Sequence, residues 1–419
     1  MIGDRIALAI VGLGNRGNAY AGYTLRNPGE AEIKYVCDLN KDKLARFAER
    51  FGINKDNCFS DLDEMLDRMD GVGAVIISTL DAQHFEQTVK VVEKGYHVLL
   101  EKPMSPSPAE CVKIGELSRK YGRMVMVCHV LRYTPFFSTI KGLLDTGTIG
   151  RLMSIQHNEN VSYWHMSHSY VRGNFRNSNT TSPMILAKSC HDMDIMLWLA
   201  GRDCIKVSSF GSLSYFRSEN APEGSTNRCT DGCPHEKECP FSAAKIYLGE
   251  NTAWPTSMIS TDMSHEARLK ALREGPYGRC VFRCDNNVVD HQVVNLLFED
   301  DITAVFSMNG FNKLGSRTIK LVGTKGEIRG YMEKNEIEVR HFNTCRSEVY
   351  TPQLMAGDHN GGDTGIMRSF LDNLRKGDTE GGLTSARISV QSHLMAFAAE
   401  ESRLSHKVMD INEFLSSLA

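Results

Sequence analysis

The run RIALAIVGLGNRGNAYAGYTL, residues 5–25, constrains the fold more than any other stretch of the chain. Apolar residues continue through Val11, a glycine-rich turn follows, and the segment beyond it has helical character, so the run reads as strand, tight turn and helix. Gly12, Gly14 and Gly17 stand in the order GxGxxG. The first two suit a turn that a pyrophosphate can approach closely, and the third lets helix and strand pack together. Asn15 and Arg16 open the helix, where the dipole and unpaired N–H groups attract a phosphate. Such a motif is weak alone, but AEIKYVCDLN then reads as a second strand ending in Asp38, 21 residues after Gly17. A carboxylate at that spacing accepts hydrogen bonds from the adenosine ribose hydroxyls and repels a 2′-phosphate, which favours NAD over NADP.

The alternation continues. KDKLARFAERFG, DLDEMLDRM and HFEQTVKVVEKG read as helices, and GAVIISTL, YHVLLEK and RMVMVCHV as buried strands. The pattern predicts a doubly wound parallel sheet, an α/β Rossmann domain over residues 1–130. Ligands of such sheets bind beyond the carboxyl ends of the strands. That rule puts Ser78, Thr79 and His84, and then Glu101 and Lys102, at the expected cofactor cleft.

The chain has 419 residues, 41% of them hydrophobic and 24% charged, enough for two or three globular domains. Net charge is −3 with no long basic run, so nothing favours nucleic acid or a membrane surface, and a small-molecule partner is expected. No apolar run approaches the roughly 18 residues that a membrane-spanning helix requires. Asp4 and the glycine motif argue for a strand at the N-terminus rather than a signal peptide, so a cytoplasmic protein is expected. The twelve cysteines are too dispersed for a disulfide scaffold.

Taken in order, GLGNRG, the strand-end Asp38, GYHVLLEKP, LRYTPFF with Arg132 and Pro135, GTIGRLMSI, LVGTKGEI and AFAAEESRLS resemble the Gfo/Idh/MocA family of sugar and polyol oxidoreductases. The resemblance spans nearly the whole chain. It implies that residues 131–419 form an α+β substrate-binding domain on a large, mainly antiparallel sheet, which often makes oligomer contacts. A homo-oligomer, dimer or tetramer, is therefore expected. The resemblance also places Arg132 at the cofactor cleft, gives Lys102 the positioning of the reacting hydroxyl with a share in proton transfer, and gives His191 acid/base work.

In that second part, PMILAKSCHDMDIMLW, residues 183–198, reads as one helix, with Ser182 as N-cap and Pro183 at its first position. Leu186, Cys190, Met193 and Leu197 fall on one stripe, with Lys188, His191 and Asp192 largely opposite. Lys188 and His191 are three residues apart and can address one ligand atom. Relatives commonly carry an aspartate four residues before the histidine. Here that position is Ala187, with Lys188 beside it to orient substrate or tune the other two groups. Oxidation of a secondary alcohol needs a general base at the hydroxyl, and Lys102, Lys188 and His191 are the candidates.

Residues 157–182 read largely as a long loop rich in aromatic and polar side chains. Tyr163 or Trp164 could stack on a pyranose, and Tyr170, Arg172 or Asn174 could bond its hydroxyls; the alternative is an oligomer contact. Asp290 and Gln292 are expected on the opposite strand face from His291, a further pocket candidate. An insertion over about residues 225–285 carries Cys229, Cys233 and Cys239, then Cys280 and Cys284. A structural zinc ion is the first expectation for Cys229, Cys233 and Cys239, an iron–sulfur cluster the second, against free thiols or a local disulfide.

Three functions compete: an NAD-dependent oxidoreductase acting on a secondary hydroxyl of a sugar, polyol or glycoside; a redox-neutral, NAD-dependent glycosidase that oxidises, eliminates, hydrates and reduces; and a non-catalytic NAD sensor. Retention of Lys102 and His191 argues against the last.

Overall fold

The computed structural model describes residues 5–355 and 359–418. The strands β1 Ile6–Val11, β2 Ala31–Cys37, β3 Cys58–Phe59, β4 Ala74–Ile77, β5 His97–Leu100 and β6 Val125–Val127 form a parallel sheet in the order β3-β2-β1-β4-β5-β6. The order reverses between β1 and β4, and a crevice opens at such a switch point beyond the strands' carboxyl ends. β4 and the last three residues of β5 are buried throughout, as strands covered by helices on both faces must be. Local signals set the helix limits. Asn40 caps the helix Lys41–Phe51 by accepting from the Asp42 and Lys43 N–H groups, and Gly52 ends it in the left-handed region.

The second sheet comprises β7 Leu152–Ser162, β8 Cys204–Ser212, β9 His291–Phe298, β10 Thr303–Asn312, β11 Ser316–Gly323, β12 Gly326–Tyr331, β13 Glu336–His341, β14 Ser347–Tyr350 and β15 Met409–Asp410. Its order is β14-β13-β12-β11-β7-β10-β9-β8-β15, antiparallel except for the parallel pair β7 and β10. Asp290 and Gln292 turn inward and His291 outward, as the alternation predicts.

Two late helices return to the first sheet. Helix Gly362–Lys376 buries Ile366, Met367, Phe370, Leu371 and Leu374 in one core with Ile6, Leu8 and Ile10 of β1. Helix Ala386–Ser405 lies on helix Pro108–Tyr121, where a Cβ on Gly115 would sit 2.8 Å from Val390. The first sheet is therefore completed by chain far from it in sequence.

The expected single helix over 183–198 is two helices, Met184–Ala187 and Cys190–Ala200, interrupted at Lys188 and Ser189. Pro183 holds the cap position, and the Ser182 hydroxyl donates to the Asp81 carboxylate instead. The second of these helices has no solvent-facing side: only Trp198 is partly exposed, and Asp192 and Asp194 are buried. The expected loop also has structure. β7 runs to Ser162, a helical turn spans Tyr163–His165, and a π-helical turn spans Met166–Arg172. Among the described residues no helix is long and apolar enough to cross a membrane.

Candidate active site

At the end of β1, Gly12 has φ +89°, and a Cβ on it would lie 2.7 Å from the Ser78 backbone; on Gly17 it would lie 2.2 Å from the Gly12 carbonyl oxygen. These two glycines let β1, the end of β4 and helix Asn15–Arg26 close on one another. Gly14 differs, because a Cβ there would meet nothing within 4 Å. Its bare side faces open space. The helix begins at Gly14 with no side-chain cap and no acidic residue in its first turn, which leaves the dipole and unpaired N–H groups to an anion. Asp38 accepts from the Leu13 and Asn40 N–H groups at 2.8 Å each. Each of its oxygens keeps capacity for a ribose hydroxyl. Turn, helix end and carboxylate together fit a dinucleotide.

Asn15 is exposed at this mouth, whereas the Arg16 side chain turns inward. Its Nε donates to Glu101 at 2.6 Å, and its two Nη atoms donate to Asp363 at 2.9 and 2.6 Å. The Tyr20 hydroxyl joins Glu101 at 2.5 Å, and the other Glu101 oxygen accepts the Lys102 N–H at 2.8 Å. Burial alone would raise the Glu101 carboxyl, but Arg16 and then Lys102 outweigh it and hold the pKa below its ordinary value. Ser78 and Thr79 spend their hydroxyls on the Gly12 carbonyl and on Gln87. His84 is buried between the Pro103 and Thr79 carbonyls at 2.7 and 3.2 Å, and so ties the ends of β4 and β5 together beneath the cleft.

Lys102 follows β5 directly, and its Nζ donates to the Ala187 carbonyl oxygen at 2.8 Å. A backbone oxygen thus serves Lys102 at Ala187, where the family resemblance implies an aspartate. The nearby carboxylate comes from β7 instead: Glu159, 3% exposed, pairs with Lys188 Nζ at 3.2 Å and with Arg317 of β11. Arg317 also donates to Asp192 at 2.8 and 3.4 Å, and the His157 ring meets Asp192 at 2.8 Å. The result is a largely buried chain of alternating charge, Lys188, Glu159, Arg317 and Asp192, with the His157 ring bonded at its end. Burial outweighs the attraction of Glu159 and lowers the Lys188 pKa from its ordinary value.

His191 is 5% exposed and its Nδ1 has no hydrogen-bond partner. Burial first, and then the charge of Lys102, push its pKa well below the ordinary value. The ring is neutral near pH 7 and free to accept a proton. Three histidines outside the sequence candidates surround it or its neighbours. The His129 and His359 rings each lie 6.0 Å from it. His359 bonds Asp363 at 3.2 Å and holds φ +51°, a strained backbone of the sort that collects at functional sites. Partly exposed His165 is pushed well down by desolvation and then by the charge of Lys188. Glu159 is absent from the sequence candidates, although the period-two run Ile155, His157, Glu159, Val161 places an acid on an inward face.

Other expected site residues have internal partners. Arg132 is 3% exposed, makes two 2.7 Å bonds to Asp194 and a third to the Leu383 carbonyl at 2.9 Å, and so fastens helix Cys190–Ala200. Arg172 is fully buried on the Arg279 and Phe241 carbonyls at 2.7 Å each, Tyr170 is 4% exposed, and Asn174 stands in solvent. Tyr163 and Trp164 remain partly exposed, with Trp164 edge-on to Trp254 at 5.1 Å. The expectation of zinc finds no support: among the described residues no group of three or more His, Cys, Asp or Glu comes together to hold a single metal ion. All twelve cysteines are free.

Comparison with known proteins follows the same division. The family description "Oxidoreductase family, NAD-binding Rossmann fold" matches residues 6–129, and "Oxidoreductase family, C-terminal alpha/beta domain" matches residues 141–407. Fold and matches together define a two-domain oxidoreductase. The chain belongs to the Gfo/Idh/MocA family. It is 23% identical over 354 residues to the putative oxidoreductase YteT of Bacillus subtilis, covering 78% of this chain and 79% of that one. It is 24% identical over 200 residues to inositol 2-dehydrogenase of Salmonella typhimurium, covering 46% of this chain and 54% of that enzyme. Levoglucosan dehydrogenase in complex with NADH and levoglucosan shares the fold, with a TM-score of 0.71 at 17% identity over 97% of this chain and 99% of that one.

Proposed function

We propose that this chain is an NAD-dependent oxidoreductase acting on a secondary hydroxyl of a small carbohydrate: a sugar, polyol or glycoside. One observation carries the proposal. Lys102, anchored on the Ala187 carbonyl, lies beside a buried, neutral His191 at the carboxyl end of β5. The activities named for the inositol and levoglucosan relatives support a polyol or sugar substrate.

The backbone of Gly12, Gly14, Asn15, Arg16 and Gly17 would hold the pyrophosphate, and Asp38 the adenosine ribose. Bound NAD supplies the hydride acceptor. The Lys102 ammonium would donate to the reacting hydroxyl oxygen and stabilise it as its proton leaves, and the His191 ring would take that proton. Lys188, braced by Glu159, would orient a neighbouring hydroxyl, and Tyr163 or Trp164 would stack on the ring. Phe210 and Phe311, exposed on strands of the large sheet, would be covered in a dimer or tetramer.

A panel of free sugars, polyols and aryl glycosides, assayed at once for NADH and for aglycone, tests the proposal. Net NADH with a free sugar or polyol is the expected result. NAD-dependent aglycone release without net NADH would replace it with the redox-neutral glycosidase, and NAD binding with neither product would replace it with the sensor.

A further inference from the structure

Between β8 and β9 the chain makes a long excursion whose cysteines have no part in alcohol oxidation. Cys229, Cys233, Cys239 and Cys280 line a single cavity there. Two buried donors line the same cavity: Ser242, 1% exposed, leaves its hydroxyl without a partner, and Arg172, fully buried, has besides two carbonyls the uncharged Tyr247 hydroxyl beside it. Arg172 Nη2 also approaches Cys229 Sγ at 3.6 Å. A guanidinium removed from water is costly unless negative charge meets it, and the Arg279 and Phe241 carbonyls that Arg172 bonds carry no net charge.

A single ion does not satisfy this arrangement. Zinc needs its sulfurs about 2.3 Å from one centre, and these thiols surround a cavity without converging on one point. Several irons bridged by sulfide hold four cysteines further apart, around a body that fills such a void. Cys233 and Cys239 are each followed by proline, as is the last cysteine of ferredoxin-type runs.

We propose that Cys229, Cys233, Cys239 and Cys280 ligate an iron–sulfur cluster of the [4Fe–4S] type, with Arg172 as its buried counter-cation and Ser242 as a hydrogen-bond donor to it. Each thiol gives up its proton on ligation of the assembled cluster. The four thiolates outweigh the charge of the oxidised cluster core, which leaves a net anion for the guanidinium. Because Arg172 ends the π-helical turn that follows Trp164, and Trp254 of the excursion packs on Trp164, the cluster braces the aromatic wall of the proposed substrate pocket.

The full-length protein, purified without oxygen or reconstituted with ferric iron, sulfide and excess thiol, the thiol supplying the electrons that reduce the surplus ferric iron, tests this. It is expected to be brown, with about four irons and four acid-labile sulfides per chain and a paramagnetic signal on reduction by dithionite. Cys233→Ser and Cys239→Ser are expected to lose the cluster. Cys284→Ser is expected to keep it, since that thiol bonds the Cys280 carbonyl at 3.3 Å and does not line the cavity. Circular dichroism on the same samples establishes that each variant is folded. One zinc per chain without sulfide, disulfides among these cysteines in the anaerobic protein, or a folded wild-type chain that takes up no iron and sulfide would each overturn the proposal.

Discussion

Replacing Arg317 by methionine probes the buried charges beside the proposed site. The guanidinium faces Asp192, which is fully buried, and Glu159, 3% exposed. Removing one partner of a buried pair costs about 3–5 kcal/mol, because the other charge stays buried and uncompensated. Here Lys188 still holds Glu159 and His157 still meets Asp192. The expected loss at pH 7 is therefore at the lower end, about 3 kcal/mol. The pH dependence has a definite sign. Burial would raise the Asp192 carboxyl, but Arg317 and then His157 hold it well below its ordinary value. A carboxyl depressed by folding contributes stability above its unfolded pKa of about 3.9 and loses it as pH falls through the folded value. Without Arg317 that contribution goes, so the gap between wild type and variant is full at neutral pH and narrows as the pH falls below about 4. Urea unfolding followed by tryptophan fluorescence, to which Trp198 on the same helix contributes, measures the gap. Adding Asp192→Asn is expected to recover part of the loss. A gap under about 1 kcal/mol that does not change with pH would refute the reasoning.

Three further outcomes are expected. Gly14→Ala should leave thermal stability near wild type, because its Cβ enters open space, yet weaken NAD by about tenfold, roughly 1.4 kcal/mol, in a calorimetric titration; unchanged affinity would show that no pyrophosphate approaches there. Asp38→Ser should lose more affinity for NAD than for NADP, and an equal loss for both would remove the ribose assignment. The acid limb of the kcat/KM profile should fall below pH 6.5, the ordinary histidine value, because burial and Lys102 lower His191 and activity fails only when that ring gains a proton. A limb that stays in place in His191→Asn would assign it to another group.

The first domain was legible because its signals are local. Val11, Gly12, Gly14, Gly17 and Asp38 lie within one strand–turn–helix–strand unit, and buried parallel strands read as apolar runs. The helix over 183–198 was misread for a physical reason. A helical projection assumes an unbroken helix with water on one side, whereas the chain breaks at Lys188 and the charges of the second helix meet partners from β7, β11 and residue 132. Nothing local announces a partner 125 residues away, as Arg317 is from Asp192. The same blindness hides the internal partners of Arg132, Arg172 and His84, since a charged or aromatic polar residue looks alike in sequence whether it meets a ligand or a buried carbonyl. His359 was invisible for the opposite reason, being brought to His191 by the return of helix Gly362–Lys376 onto the first sheet.

The most direct test of the central claim is hydride transfer in a single turnover, with the best carbohydrate from the panel and saturating NAD, in wild type, Lys102→Met and His191→Asn. Lys102 and His191 acting on the reacting hydroxyl predict NADH formation in wild type and a loss of about 10²–10⁴-fold in each variant, with NAD affinity retained. Turnover by both variants at the wild-type rate would contradict it.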